Sequence, residues 1–378
     1  MRRSLAIEPT KESCEDALEY TVDLNRFNEF EWGERYTVTG MEPTLVVLIS
    51  PKGCGYDCDF CSVKHVRNTS FPVHGAEGLQ AARKGLSRIR AMLTAHPETM
   101  SLKLFNNGNV LYGEERATFA ELHQGFWEEL PDTLADFPHL AAVEIAVRVD
   151  DCIGDGKALK DGSCVKEILR NRIVALSTAL NAIGKQLRVI LAFEYIESAI
   201  IRKQHKFPTV FTDDGKLRDH CKQAVTFLRE HHIEWLAYAM LGGRLADRSL
   251  TGAEASASAA HTALAALELR AREVIINSQY TDPILQQQER DTGIMYHLPT
   301  EQDMLNALAL IIDHLPDLPV WGDHDAMPRV RLTTDKEDII VGTIGPSISA
   351  PIRDLIARFN NAPDQVLFFN QHLAPLIS

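Results

Sequence analysis

The chain has 378 residues, of which 45% are hydrophobic and 24% are charged, as expected of a globular protein that folds without disulfide bonds. Its 39 lysines and arginines against 52 aspartates and glutamates give a net charge of −13, which argues against a broad surface for nucleic-acid phosphates. We find no secretory signal and no apolar run near the roughly 18–20 residues that cross a bilayer. The number of cysteines, seven, is odd, so we expect a cytoplasmic protein with reduced thiols.

Apolar periodicity predicts alternating strands and helices from residue 44 to residue 315. Short β-branched runs indicate buried parallel strands, and apolar residues at every third or fourth position indicate amphipathic helices. The predicted strands are 44–50, 101–105, 141–149, 187–193, 234–241 and 273–277. The predicted helices are 75–96, 114–130, 164–183, 217–231, 253–269 and 300–315. Six strand–helix units in a row predict a parallel sheet with helices outside it.

The number of units defines the predicted domain organisation. A complete barrel has eight units and takes about 250 residues, so we predict an α/β fold with a partial (β/α)6 TIM-like barrel in residues 41–315. Residues 1–40 are polar and acidic, and we predict that they form an N-terminal extension. Residues 316–378 contain a strand-like segment at 338–341 and a helix candidate at 350–359, and they are predicted to form a small C-terminal lid or sheet extension.

The segment SPKGCGYDCDFCSV, directly after the first predicted strand, carries a cluster of three cysteines. Cys54, Cys58 and Cys61 have C-x3-C-x2-C spacing on a glycine-containing loop. Such soft thiolate ligands select zinc or an iron–sulfur cluster. A structural zinc site uses four ligands, and the sequence has no second CxxC. Three cysteines on one loop suit a four-iron cluster with one iron left open; a zinc loop completed by His65 or by a distant residue is the alternative.

This loop and its position resemble the radical S-adenosylmethionine (SAM) enzymes. The segment from Cys54 to Cys61 matches the family's CxxxCxxC loop, including the aromatic Phe60 before the last cysteine, and it follows a barrel strand at the end where barrel enzymes place their chemistry. The resemblance covers residues 44–299 through the order and spacing of elements. It implies a barrel of the radical SAM type, a [4Fe-4S] cluster bound by the three cysteines, SAM as cofactor and a flavodoxin- or ferredoxin-type electron donor.

The turn after the second predicted strand is where this family holds the SAM amino group. Here the turn carries Asn107, Gly108 and Asn109 in place of the common two glycines and glutamate. It resembles the branch that contains the elongator catalytic subunit and the archaeosine-forming radical SAM enzyme. An ordinary strand–helix turn favours the same residue types.

The resemblance implies further cofactor contacts at later strand ends. Glu194 would accept hydrogen bonds from the ribose hydroxyls or the amino group, and Arg202 would pair with the methionyl carboxylate; scattered charge on a surface helix is the alternative. Gly242 would let adenine approach the backbone. Arg148 is predicted to contact SAM or substrate, with a structural Glu144–Arg148 pair as the alternative.

The reaction implied by the resemblance is reductive cleavage of SAM to methionine and a 5′-deoxyadenosyl radical, which abstracts hydrogen from a substrate. The acidic composition favours a small-molecule substrate, with Asn277, Gln279 and Tyr280 on the substrate side. A tRNA- or protein-modifying enzyme of the same family is one alternative, and a non-catalytic zinc or iron–sulfur protein is another. Nucleic acid is disfavoured, and it would require a local basic patch from the residues Lys64, Arg67, Arg83, Lys84, Arg88 and Arg90.

Overall fold

A computed structural model describes most of the chain from residue 30 onward. The described residues are 30–37, 40–48, 72–105, 111–112, 122–149, 152, 165–197, 200, 214–243, 248–295, 297–318, 328–333 and 344–377. Within them, we find no helix that is both long enough and apolar enough to cross a membrane.

One sheet organises the fold. Its strands are β1 (Phe30–Thr37), β2 (Gly40–Leu48), β3 (Ser101–Phe105), β4 (Ala142–Arg148), β5 (Gln186–Glu194), β6 (Glu234–Leu241), β7 (Glu273–Ser278) and β8 (Arg329–Thr333). They lie side by side in chain order. The seven strands from β2 to β8 are parallel, and β1 pairs with β2 in the antiparallel sense. This sequential order is that of a barrel wall.

Helices cover the outer face of the sheet. They are α1 (Gly75–Ala95), α2 (Gly125–Leu134), α3 (Val165–Ala182), α4 (Asp214–Glu230), α5 (Gly252–Glu268), α6 (Pro283–Thr292), α7 (Glu301–Ile312) and α8 (Ala350–Asn361), followed by the short turns Gln365–Phe368, Phe369–Leu373 and Ala374–Leu376. The main hydrophobic core lies between these helices and the sheet, and α7 packs on α5.

The six predicted parallel strands are all present, but the sheet is larger than six units. The seventh parallel strand, β8, lies in the segment predicted to be a lid or sheet extension, and β1 lies in the predicted N-terminal extension. The RVRLT sequence of β8 escaped prediction because its alternate residues are arginines, whereas Val330 and Leu332 are fully buried. The predicted strand-like segment 338–341 lies outside the described residues. The helix predicted at 350–359 is confirmed as α8.

The edge strand β8 is covered by side-chain amides. The amide of Asn360 accepts from the backbone of Leu332 and donates to its carbonyl, at 3.0 and 2.9 Å. The amide of Gln365 does the same for Val330, at 3.0 and 2.6 Å. An open edge would offer these groups to another chain, so the C-terminal segment takes the place of a further strand, and α8 lies against both β8 and β1.

Candidate active site

The strands curl around a space, called here the lumen, on the face of the sheet opposite the main core. Neighbouring strands lie about 4.8 Å apart, so β3 and β6 would be about 14 Å apart in a flat sheet. The ammonium of Lys103 on β3 nevertheless lies 5.8 Å from the ring centroid of Tyr238 on β6. A small apolar cluster of Ile190, Leu236 and Ile275, separate from the main core, occupies the same face. The sheet is therefore curved, with these side chains inside it.

Access to the lumen differs between its two ends. Side chains alternate between the two faces of a strand, so lumen-facing residues recur at every second position. The partly exposed ones lie in the middle or the carboxyl-terminal half of the strands, namely Lys103, Ala146, Ala192, Tyr238, Asn277, Arg331 and Thr333, whereas Arg148 at the carboxyl end of β4 is buried. Most of those nearer the amino-terminal ends are buried, namely Glu144, Arg188, Ile190, Leu236, Glu273 and Ile275, and Glu234 is partly exposed. Among the described residues, the lumen is therefore more accessible toward the carboxyl-terminal ends of the strands than below.

Ion pairs close the lower end of the lumen. Nη1 of Arg188 on β5 lies 3.5 Å from Oε1 of Glu144 on β4, and its Nε lies 3.1 Å from Oε2 of Glu234 on β6. Arg272, just before β7, also pairs with Glu234. The register explains the arrangement, because Glu144, Arg188 and Glu234 are direct partners across three adjacent strands.

Arg331 extends this charged layer across the lumen. Its Nε donates to Oε1 of Glu273 at 2.8 Å. Burial alone would lower the pKa of Arg331, but the opposing effects of Glu273, Tyr238 and Glu144 raise it. Arg331 is on β8 and Glu144 on β4, so their interaction crosses the lumen. The guanidinium is therefore held permanently charged inside the fold.

Arg148 lies at the carboxyl end of β4, one of the positions predicted for the site. Its side chain is 6% exposed. The strand register aligns it with Ala192 on β5, and Ala192 with Tyr238 on β6. Only a methyl group therefore separates the guanidinium side chain from the phenol along this row.

Glu194 ends β5 in a strained conformation. Its φ angle is 56°, in the left-handed region that non-glycine residues rarely adopt. The register of β5 against β6 shifts between Ala192 and Glu194, and the amide of Tyr195 donates to the carbonyl of Phe193 at 2.7 Å around it. Such strain costs about 1–3 kcal/mol and clusters at functional sites. His232 and Arg270 have the same left-handed conformation in the turns before β6 and β7, whereas Glu194 has it at the carboxyl end of a strand, where the sequence predicted a carboxylate.

The residues after Glu194 are anchored to α5. The amide of Ile196 donates to Oγ1 of Thr262 at 3.1 Å. Glu197 accepts from Ser258 at 3.0 Å and pairs with His261 at 2.9 Å. These contacts hold the strained turn against the helical layer.

Gly242, at the end of β6, has a packing role in this structure. Its φ is 104°, and a Cβ atom added to it would lie 2.6 Å from Cβ of Gln279. The amide of Gln279 also donates to the carbonyl of Leu241 at 2.7 Å. The close neighbour of Gly242 is thus the segment after β7. The predicted contact between Gly242 and adenine stays a prediction.

Buried polar atoms gather at the end of β7. Oγ of Ser278, Oε1 of Gln279 and Oγ1 of Thr281 are buried and have no hydrogen-bond partner among the described residues. Asn277, by contrast, accepts from Oγ1 of Thr333 at 3.0 Å. Buried polar atoms are normally hydrogen-bonded, so the segment at the carboxyl end of β7 has capacity for further polar contacts.

Several predicted site residues lie outside the described part of the chain. These are Cys54, Cys58, Cys61, Asn107, Gly108, Asn109 and Arg202. Among the described residues, no group of three or more histidine, cysteine, aspartate or glutamate side chains could hold a metal ion. Cys152 and Cys221 are buried within the main hydrophobic core.

Sequence reasoning missed two lumen residues, Lys103 and Tyr238. Lys103 is partly exposed between the buried Leu102 and Leu104, and Tyr238 is one of the two partly exposed residues of the strand EWLAYAML, with Glu234 as the other. A lone lysine in the middle of a five-residue parallel strand was the available signal, because both faces of such a strand are normally apolar.

The basic helix α1 is partly neutralised. Arg83 pairs with Glu129 at 2.7 Å and Arg90 with Asp136 at 2.5 Å, both across to the α2 region. These pairs reduce the local basic patch that a nucleic acid would need. Lys64 and Arg67 lie outside the described residues.

Comparison with known proteins finds distant similarities of fold. No protein-family model and no curated protein sequence matches the chain. Two solved structures of the radical S-adenosylmethionine methyltransferase TsrM from Kitasatospora setae are 12% and 11% identical and have TM-scores of 0.34 and 0.35. The matches cover 59% and 64% of this chain and 34% of each TsrM chain. A crystal structure of SacUVDE is 8% identical, with a TM-score of 0.34, over 80% of this chain and 90% of that one. At these values, the function has to be argued from the residues of this chain.

Proposed function

We propose that the protein is a radical SAM enzyme that binds a [4Fe-4S] cluster through Cys54, Cys58 and Cys61. One observation carries the proposal: the CxxxCxxC loop follows β2 at the carboxyl edge of the parallel strands, the edge toward which the lumen is more accessible. Cys54 is six residues beyond Leu48, the end of β2, and six residues reach at most about 20 Å. The three thiolates would therefore lie within reach of that end.

The described residues at this edge fit the cofactor. SAM carries an amino group, a carboxylate, ribose hydroxyls and adenine. Glu194 offers a carboxylate to the hydroxyls or the amino group, and Arg148 offers a guanidinium. Arg202 and the turn Asn107–Asn109 follow β5 and β3 in the chain, so we propose that they complete the cofactor site.

When bound, the cluster and SAM would supply a 5′-deoxyadenosyl radical by one-electron reduction, with the electron from a flavodoxin- or ferredoxin-type donor. The chain's own part is to bind, orient and shield. The ion-pair layer and the apolar cluster of Ile190, Leu236 and Ile275 close the lumen from below, which keeps water from entering through the floor. We propose that a small-molecule substrate enters from above and loses a hydrogen atom there.

Anaerobic purification tests this proposal directly. We expect about four irons per chain and dithionite-dependent release of 5′-deoxyadenosine. Replacing Cys54, Cys58 or Cys61 by alanine should abolish SAM cleavage and most iron binding. Cys221→Ala, which changes a thiol in the core on α4, is the matched control and should keep both. One zinc per chain without visible absorbance would instead indicate a non-catalytic binding protein.

Two further variants test the cofactor contacts. Arg202→Ala should raise the dissociation constant for SAM roughly ten- to a hundredfold, because a charge-assisted pair is worth about 1.5–3 kcal/mol. Glu194→Gln keeps the size of the side chain and removes the charge, and it should also weaken SAM binding. Unchanged affinity in either variant would remove that residue from the site.

A further inference from the structure

The turn after β5 is held by one face of α5. The amide of Ile196 donates to Oγ1 of Thr262 at 3.1 Å. The carboxylate of Glu197 accepts from Oγ of Ser258 at 3.0 Å and lies 2.9 Å from Nδ1 of His261. The three helix residues are at positions i, i+3 and i+4 of α5, so their side chains lie on the same face. A single surface of α5 therefore receives both the backbone and a side chain of this turn.

Glu197 uses both of its carboxylate oxygens in these contacts. Oε2 accepts from Ser258, and Oε1 faces His261. The ring of His261 is itself oriented, because its Nε2 lies 2.5 Å from Nη2 of Arg218 on α4. A guanidinium only donates, so Nε2 of His261 accepts, and the proton on Nδ1 points to Glu197. Two directed hydrogen bonds therefore fix the carboxylate of Glu197 against the helical layer.

The anchored turn begins at a residue whose backbone needs support. Glu194 has a φ angle of 56°, and strain of this kind persists only where the surrounding structure over-determines it. Tyr195 and Ile196, which join Glu194 to Glu197, are buried in the main hydrophobic core. A displacement of Glu197 is therefore passed to Glu194 through a packed segment.

The left-handed conformations of His232 and Arg270 have a different origin, because each of these residues ends a helix. The amide of His232 donates to the carbonyl of Arg229 at 3.0 Å, and the amide of the next residue donates to the carbonyl of Leu228 at 2.9 Å. The backbone at Arg270 repeats this pattern, which is a common way to end a helix. Glu194 ends a strand instead, so the support for its conformation has to come from the contacts of its turn with α5.

We propose that Glu197 is a positioning residue for SAM: by tying the turn to α5, it holds Glu194 in the conformation that presents its carboxylate to the cofactor. The inference rests on the proposed function, because it takes Glu194 as a cofactor contact. Glu197 acts through Glu194, since its own carboxylate faces α5. A turn released from α5 would adopt the binding conformation only part of the time, and the affinity for SAM would fall by that fraction.

Calorimetric titration of the anaerobically reconstituted protein with SAM tests this inference. Glu197→Ala should raise the dissociation constant about five- to a hundredfold, the range that corresponds to the strain of such a conformation. Glu197→Gln keeps the length of the side chain and can bond to both Ser258 and His261, so it should stay within about twofold of the wild type. Glu254→Ala removes an exposed carboxylate from the same helix and should change nothing. A full loss of affinity in Glu197→Gln would overturn the positioning role, because it would mean that the charge acts directly.

A double-mutant cycle separates positioning from general stabilisation. In a Glu194→Ala background, Glu197→Ala should change the affinity for SAM by less than about twofold, because the side chain that Glu197 positions is already absent. Equal losses in the two backgrounds would contradict the inference. Ser258→Ala removes one of the two donors to Glu197 and should weaken SAM binding by a smaller factor, which keeps the test decisive if Glu197→Ala does not fold. Circular dichroism and the melting temperature check that each variant is folded.

Hydrogen–deuterium exchange of the cofactor-free protein gives a second measurement that does not depend on SAM. Glu197→Ala should speed exchange at the amide of Ile196, and Glu254→Ala should not, because only the first change releases the turn from α5. If the wild type binds SAM and Glu197→Ala alters neither the exchange nor the affinity, this inference is wrong and the proposed function stands. If the wild type does not bind SAM, the proposed function fails and the positioning role fails with it.

Discussion

Arg188 on β5 holds Glu144 on β4 inside the lumen, with Nη1 and Oε1 3.5 Å apart and both side chains almost inaccessible to solvent. The contact joins residues 44 positions apart in sequence. The contact belongs to the layer that closes the lower end of the lumen, so its loss should lower the free energy of unfolding.

Arg188→Met should lower the free energy of unfolding by about 3–5 kcal/mol, because removing one partner of a buried ion pair leaves the other charge poorly compensated. Urea denaturation measures the change. Arg248→Met is the control, since the Arg248–Glu254 pair is about half exposed and such pairs contribute about 0–1 kcal/mol. Equal losses in both variants would contradict a special role for the buried layer.

Gly242→Ala should be destabilising by at least about 1–3 kcal/mol, since its Cβ would meet Gln279 at 2.6 Å and its φ is 104°. Gly345→Ala is the matched control, because nothing lies within 4 Å of the added Cβ. The control should be neutral or slightly stabilising. The melting temperatures of the two variants are compared. An unchanged melting temperature for Gly242→Ala would contradict the prediction, because it would mean that the turn moves away from Gln279 without cost.

Lys185 should make stability rise with pH in the alkaline range. Its buried ammonium donates to the carbonyls of Phe137 and Leu140 at 2.7 and 3.0 Å, and burial lowers its pKa. Between this lowered value and the unfolded value of about 10.4, the unfolded chain binds more protons, so the free energy of unfolding increases with pH.

Urea denaturation between about pH 8 and about pH 10.5 checks the sign, because that range leads up to the ordinary pKa of lysine. The wild type should gain stability relative to Lys185→Met as the pH rises. Lys222→Met, which changes an exposed lysine, should follow the wild type. Parallel pH profiles for the wild type and Lys185→Met would contradict a lowered pKa of Lys185 in the folded protein.

Bulk tRNA should bind no more tightly than about 10⁻⁵ M at physiological salt, the range of non-specific contact. The pairs Arg83–Glu129 and Arg90–Asp136 neutralise part of α1. Filter binding measures this affinity. Submicromolar, strongly salt-dependent binding would favour the tRNA-modifying alternative over a small-molecule substrate. The double variant Glu129→Gln with Asp136→Asn frees both arginines and should bind tRNA more tightly than the wild type.

Local patterns in the sequence predicted the order of the elements, which the structure confirms, and the chemistry of the cysteine loop, which stays a prediction. The six predicted strands are present because each is a short apolar run whose burial needs no distant information. The spacing of Cys54, Cys58 and Cys61 likewise belongs to one short segment of the sequence. The strand β8 was not predicted because Arg329 and Arg331 interrupt its apolar residues. The groups that pair with these two arginines belong to other segments of the chain.

Tertiary structure alone decided what lies inside the lumen. Arg331 is compatible with a buried strand because Glu273 pairs with it, and Arg329 because its guanidinium donates to the carbonyls of Asn360 and Ala362 at 2.8 and 3.0 Å. Lys103 approaches Tyr238 only because the sheet curves. Strand register and sheet curvature depend on contacts over the whole sheet, so they cannot be predicted from any single segment of the sequence.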